Sequence, residues 1–212
     1  MHNSSVIWDF WADKYERLWV QKYSLGPSRR EIIKALASIL KAGQKYQLLD
    51  MGCGTGQLLR ELQRTFPEFE VEYTGVDISA KMIEKCREQD EANTRYIISS
   101  IADFAAHKAQ FDLIICAHSF PYYEDKAKAM DIFHQLLREN GVLLLVQASE
   151  NNLYDKIILF FVKFTTGKAQ YLSVKNILSM VKSKFSPLDI VRIKERFYMP
   201  SICLFLLKKG AD

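Results

Sequence analysis

The chain of 212 residues carries 29 Lys and Arg against 25 Asp and Glu, a formal charge of +4, and is 49% apolar and 25% charged. That balance excludes a disordered or collagenous protein, and the small basic surplus is spread without a long run, so charge alone offers no nucleic-acid footprint. The length suits one domain over residues 1–212, with a core large enough to fold without staples. Cys53, Cys86, Cys116 and Cys203 form no CxxC pair for zinc and are too sparse for a secreted disulfide scaffold, so reduced thiols in a cytoplasmic protein are expected. The polar residues 1–5 lead into Trp8, Asp9 and Asp13, which predicts no secretory signal. The longest apolar stretch, Ile157 to Val162, is far short of the roughly 20 residues of a membrane span, so no stable membrane insertion is expected.

Trp8, Trp11, Tyr15, Leu18, Trp19 and Lys22 recur at helical spacing, which predicts one amphipathic helix ended by Leu25-Gly26-Pro27. Ser28 and Glu31 read as a capping box opening a second helix through Ile32, Leu36 and Leu40 to Gly43. Strands are expected at 46–51, 71–76, 96–99, 111–117 and 142–148, alternating with helices at 57–65, 79–89 and 125–138. Two helices, 151–164 and 173–184, then precede two strands, 190–196 and 202–208, whose short link requires antiparallel pairing. The expected architecture is a Rossmann-like, doubly wound, mostly parallel seven-stranded sheet with one antiparallel C-terminal strand and helical lid elements. Its expected parts are an N-terminal helical lid (1–27), a cofactor-binding core (28–148), a helical cap insertion (149–187) and a closing antiparallel pair (188–212).

Leu48 to Gln57 reads LLDMGCGTGQ, with Gly52, Gly54 and Gly56 at alternate positions between a buried strand and a helix. One glycine suffices for a turn, and three let a ligand approach the backbone closely. The spacing is G-x-G-x-G rather than the dinucleotide G-x-G-x-x-G, and no Lys-Ser or Lys-Thr follows, which excludes an ATP-type phosphate loop. Asp50 at the strand end would repel a diphosphate and suits a ligand bearing positive charge, such as the ammonium and sulfonium of S-adenosylmethionine. Asp77, ending the next strand, suits the vicinal hydroxyls of a ribose, a role a carboxylate also plays in NAD sites.

These stretches resemble the class I S-adenosylmethionine-dependent methyltransferases. Asp50 to Gly56 is similar to that family's first motif, Gly75 to Ser79 to its second, Phe111 to Cys116 to its fourth strand, and Leu137 to Val146 to the approach to its fifth. The resemblance covers about Trp8 to Ala148. It implies that Asp50, Gly52, Cys53, Gly54 and Gly56 flank the methionine part of S-adenosyl-L-methionine, Asp77 the ribose and Ile78 one face of the adenine. In the third-strand motif Ser100 stands where the family usually has an acid, so either Ser100 or Asp103 meets the adenine amine, and the amide of Ile101 meets the ring. Cys116, at the end of the fourth strand, is a further cofactor contact.

A sulfonium methyl is already electrophilic, so an enzyme of this kind mainly holds the nucleophile in line. His118 is a candidate base or orienter, or a strand-end cap. Tyr15 on a lid helix would approach the methyl, with Trp11, Tyr122 and Tyr123 around the acceptor. The apolar segment Leu153 to Phe164 is either buried or covers an apolar pocket, which favours a small, partly apolar acceptor over protein or nucleic acid. A cofactor-binding partner subunit without catalysis remains an alternative, as does, less readily, a nicotinamide-dependent oxidoreductase or a protein or nucleic-acid methyltransferase. Monomer and homodimer are not distinguished.

Overall fold

Along the strand β1 (Lys45–Met51), Leu48 and Leu49 point to opposite faces and both are fully buried, as the period-two geometry of a strand covered on both sides requires. The same holds in β4 (Phe111–Ala117) and β5 (Leu137–Ala148), whose apolar runs leave no face for solvent. The structure, a computed structural model, describes residues 3–89, 94–107, 109–166, 169–196 and 199–210. With β2 (Glu70–Asp77), β3 (Arg95–Ile98), β6 (Phe185–Ile193) and β7 (Ile202–Lys209), the strands form one sheet in the order β3-β2-β1-β4-β5-β7-β6. All neighbours are parallel except β7, which runs antiparallel to both β5 and β6.

Helices cover both faces. One core joins Leu48, Leu113 and Leu144 to α2 (Gly26–Ile39), α3 (Gln57–Thr65) and α4 (Ala80–Gln89) through Leu36, Leu62 and Ile83. The other joins Leu49, Ile114 and Leu143 to α5 (Ile101–Phe104), α6 (Lys126–Leu136) and α8 (Val174–Val181) through Phe104, Phe133 and Ile177. The expected doubly wound sheet with one antiparallel strand is the one observed.

The N-terminal expectations need correction. Instead of one helix over Trp8 to Lys22 there is α1 (Asn3–Trp11), a 3-10 turn at Tyr15–Arg17 and a π turn at Gln21–Leu25 that runs directly into α2. Gly26 and Pro27 do not break a helix; Pro27 lies in the first turn of α2, where a missing N–H costs nothing. Ser28 is therefore helical and no N-cap, and its hydroxyl donates back to Ser24 O at 2.8 Å. The strand expected at 190–196 begins at Phe185, because Pro187 is tolerated on an edge strand where the pairing register shifts between Pro187 and Asp189. Phe197 and Tyr198 of the expected link lie outside the described residues.

The segment expected to be buried or to cover a pocket is α7 (Leu153–Thr166). Leu159 is sunk in the core, whereas Leu153, Tyr154, Ile157, Phe160 and Phe161 are exposed. No described side chain of α7 lines the cleft described next.

Candidate functional site

From β1 the chain winds outward to β2 and β3, then returns to β4 on the other side of β1, so the strand order reverses between β1 and β4. An open α/β sheet takes its ligand beyond the carboxyl ends of the strands at such a reversal. The glycine loop leaves β1 at this point and His118 leaves β4 beside it. Gly52, Gly54 and Gly56 have φ of 84°, 55° and 75°, the left-handed region that favours glycine. At Gly52 an added Cβ would also fall onto the Ser119 side chain, which is held in place by donating to Met51 O at 2.8 Å.

Asp77 joins the first loop to the second. One carboxylate oxygen accepts from the Gly54 N–H and the other from the Ser79 N–H, both at 2.9 Å. A carboxylate has about four acceptor sites, so these two bonds leave it able to accept from further donors. Burial raises its pKa, while the backbone donors pull it back down. Asp50 is almost fully buried, and burial followed by the Asp77 charge raises its carboxyl to about 7. Beneath the loop, Cys86 Sγ donates to Gly54 O at 3.1 Å, and contact with Cys86 together with burial pushes the Cys53 thiol well up.

The cleft is lined by Asp50, Gly54, Gln57, Tyr15, Arg29 and His118 among others, and encloses about 50 Å³. Two buried acceptors on its wall, Asp50 Oδ1 and Gln57 Oε1, have no hydrogen-bond partner among the described residues. Leaving buried acceptors unpaired costs roughly 1–3 kcal/mol each, and more for a charged one. The Tyr15 ring lies against Gly54, and burial with the nearby Asp77 charge raises its hydroxyl to about 12, so it stays a donor.

His118 has a φ of 62° and its N–H donates to Val146 O. Its Nε2 is 2.8 Å from Ser28 Oγ. Because the Ser28 hydroxyl hydrogen is already committed to Ser24 O, Ser28 accepts here, which puts the proton on Nε2 and leaves Nδ1 as the ring's acceptor. Burial, then the Arg29 charge, lowers the imidazole to about 4, so it is neutral at physiological pH.

Two carboxylates latch the N-terminal segment over this cleft. Asp9 Oδ1 accepts from Ser79 Oγ at 2.5 Å, and Glu16 Oε1 accepts from Thr55 Oγ1 at 2.7 Å and Arg60 Nη2 at 2.8 Å. Arg29 donates through Nε to both oxygens of Glu61 and through Nη1 to Gln21.

The structure thus brings Tyr15, Asp50, Gly52, Cys53, Gly54 and His118 to one cleft, with Asp77 bonded to its loop. Gly56 lies at the start of α3, packed against Cys86 and Tyr96. Ile78 is partly exposed beyond β2, and Ile101 packs on the second core. Ser100 caps α5: its hydroxyl donates to Asp103 Oδ2 at 2.6 Å and accepts from the Asp103 N–H. Four more expected residues, Cys116, Tyr123, Trp11 and Tyr122, are not among those lining the cleft. The Cys116 thiol is wholly buried against Ser119 Oγ at 3.1 Å, and Tyr123 turns its hydroxyl to the same Ser119 and its ring to Phe120 and Phe133. Trp11 packs on Phe10 rather than lining the cleft. Tyr122 meets Trp8 edge-on at 5.0 Å. The sequence reading missed Asp9, Glu16, Ser28 and Gln57. Gln57, next to the last glycine, was open to inference from position, whereas the other three act through partners remote in sequence.

A sheet of this order, carrying an alternate-glycine loop after its first strand and a carboxylate at the end of its second, is the arrangement that the resemblance to the class I S-adenosylmethionine-dependent methyltransferases implies. Residues 48–141 match the family model described as a methyltransferase domain. Among curated relatives, malonyl-[acyl-carrier protein] O-methyltransferase 1 of Ilyobacter polytropus is 27% identical over 46% of this chain and 36% of its own length. Demethylmenaquinone methyltransferase of Thermotoga maritima is 26% identical over 74% of this chain and 68% of its own. The chain therefore spans little more than a third of the first relative's length. Among solved structures, the N-methyltransferase NodS of Bradyrhizobium japonicum WM9 with S-adenosyl-L-homocysteine superposes with a TM-score of 0.74 at 16% identity, covering 99% of this chain and 100% of that one. Magnesium protoporphyrin IX methyltransferase of Synechocystis PCC 6803 does so with a TM-score of 0.74 at 17% identity, covering 98% and 99%.

Proposed function

We propose that the chain transfers a methyl group from S-adenosyl-L-methionine to a small, partly apolar acceptor held in the cleft at the β1–β4 reversal. The observation that carries this reading is the pair of buried, unpartnered acceptors, Asp50 Oδ1 and Gln57 Oε1, beside a backbone cradle of glycines. A ligand with N–H donors and positive charge satisfies both, which an anionic pyrophosphate does not. Asp77 keeps acceptor capacity for the ribose hydroxyls. Because the Ser100 hydroxyl hydrogen is committed to Asp103, the Asp103 carboxylate is the stronger acceptor for an adenine amine, with Ile78 and Ile101 on the ring faces.

When bound, S-adenosyl-L-methionine supplies a methyl group already activated by its sulfonium. The remaining work is positioning and exclusion of water. His118 Nδ1 accepts a hydrogen bond from the acceptor and orients it; with a pKa of about 4 it is a weak base at neutral pH, which suits a nucleophile that needs little deprotonation. Tyr15 closes the cleft on the side of Gly54. A cofactor site occupies about 300 Å³ or more, so the segment carrying Tyr15 and Glu16 swings outward to admit the ligand and returns over it. The relatives named for malonyl-[acyl-carrier protein], demethylmenaquinone and magnesium protoporphyrin IX are consistent with an acceptor that has an apolar portion.

A metabolite library incubated with the chain and S-adenosyl-L-methionine, read by S-adenosylhomocysteine release, tests the proposal. It predicts turnover with a small acceptor and loss of at least about tenfold in kcat for His118→Ala, the effect of a lost positioning bond. Methyl transfer confined to RNA or protein would contradict it.

A further inference from the structure

The cleft leaves unexplained why so much apolar surface stands open at the carboxyl edge of the sheet. Phe10 of α1 is 68% exposed, Trp19 after the 3-10 turn 61%, and Leu153 and Phe161 of α7 are 73% and 63%. Isolated exposed apolar residues are ordinary, but a concentration of large ones on one side of a protein marks an interaction surface.

These segments share one edge. Asp9 ties α1 to Ser79, just past the carboxyl end of β2. Asp155 ties the first turn of α7 to the Ser201 N–H, where β7 begins, and β7 is antiparallel, so its start is also at this edge. Between them lies the turn Phe120–Tyr122 after β4, where Tyr122 meets Trp8 and Pro121 O accepts from the Gln170 N–H beyond α7.

The charges on these segments are sorted by sign. Asp9 accepts from Ser79, Glu16 from Thr55 and Arg60, and Asp155 is buried, accepting from the backbone of Asn151 and Ser201. Asp13 is exposed but paired with Lys85 at 3.3 Å. The cations Lys14, Arg17, Lys22 and Lys156 all face solvent. Asp9, Glu16 and Asp155 are thus bonded into the protein and Asp13, although its side chain is 72% exposed, is ion-paired, while the exposed cations Lys14, Arg17, Lys22 and Lys156 share their segments with Trp19, Phe160 and Phe161; α1 itself carries no Lys or Arg. Taken together, the edge offers what a bilayer interface requires, apolar side chains for the acyl boundary and cations for anionic headgroups. No helix of the described residues is long and apolar enough to cross a membrane, so attachment is to one leaflet.

We propose that the carboxyl edge formed by α1, the Tyr15–Leu25 segment and the outer face of α7 docks on an anionic lipid surface. Docking places the cleft mouth against the bilayer, where an acceptor with an apolar portion dissolves. The inference does not depend on methyl transfer, because it is read without turnover.

Sedimentation with vesicles of phosphatidylcholine, with and without phosphatidylglycerol, tests it on the full chain. The wild type is expected to sediment with the anionic vesicles and to be released by salt, and Trp19 fluorescence to shift blue, a shift absent in Trp19→Phe. The double variant Phe160→Ser with Phe161→Ser, at exposed positions, is expected to keep its thermal midpoint while losing roughly tenfold or more in vesicle partitioning. Failure to sediment with either vesicle, or equal sedimentation of the folded double variant, would overturn the proposal. So would a lipid-free dimer that the same two substitutions dissociate, which would assign the face to a second copy.

Discussion

Asp50 shows at the scale of one residue how the fold prepares a charge for a partner. Its carboxyl titrates at about 7 in the folded chain against an ordinary 3.8, so the fold favours the neutral form, and ionisation costs stability as pH rises through about 7. A cationic ligand reverses that preference. Affinity for S-adenosyl-L-methionine is therefore expected to rise about tenfold between pH 6 and pH 8, as the ionised fraction climbs from about a tenth to nine tenths. Asp50→Asn is expected to bind more weakly at pH 8 and to flatten the pH dependence. Calorimetry across that range checks both, and a variant with the wild-type slope would reject the assignment. His118 opposes Asp50 in the free protein: its lowered pKa means that stability is lost as pH falls from 6.5 toward about 4.

At the scale of elements, α7 separates packing from surface within one helix. Leu159 is its buried apolar residue among those described, against the core that contains Ile193 and Ile202, whereas Phe160 next to it is exposed. Leu159→Ala is expected to cost about 2–5 kcal/mol and Phe160→Ala less than about 0.5 kcal/mol, a contrast that denaturant titration resolves. Equal costs would mean that the helix packs on its other face. The regular strand and helix alternation was legible in the sequence because each element there carries its own period: α3 and β4 begin and end where the pattern predicts. The N-terminal segment was not legible. Its aromatic spacing fits one helix, but Asp9 and Glu16 bond to Ser79, Thr55 and Arg60, groups 39 to 70 residues away, and the chain bends to reach them. Ser28 followed by Glu31 has the letters of a capping box, yet Ser28 is drawn into the helix and placed against His118. The glycine loop and Asp77 were legible because positive φ and a strand-end carboxylate leave marks in the sequence itself. Buried, unpartnered acceptors leave none, so the position of Gln57 beside the last glycine was legible but its open acceptor was not.

At the scale of the whole molecule, the sheet supplies a rigid floor whose strand reversal fixes the glycine loop, Asp77 and His118, and the N-terminal segment supplies a latched cover. The floor buries its residues in two cores, while the cover is held by polar latches and a few aromatic contacts and is the part expected to open. In the proposed function this cleft takes a sulfur-bearing nucleoside through Asp77. The most direct test is calorimetric titration of the wild type and Asp77→Ala with S-adenosylhomocysteine, with NAD as the control ligand. The wild type is expected to bind S-adenosylhomocysteine and not NAD, and the folded Asp77→Ala variant to bind at least about tenfold more weakly, as loss of charge-assisted hydrogen bonds requires. Tight NAD binding with no heat from S-adenosylhomocysteine, or an unchanged dissociation constant in the folded variant, would contradict it.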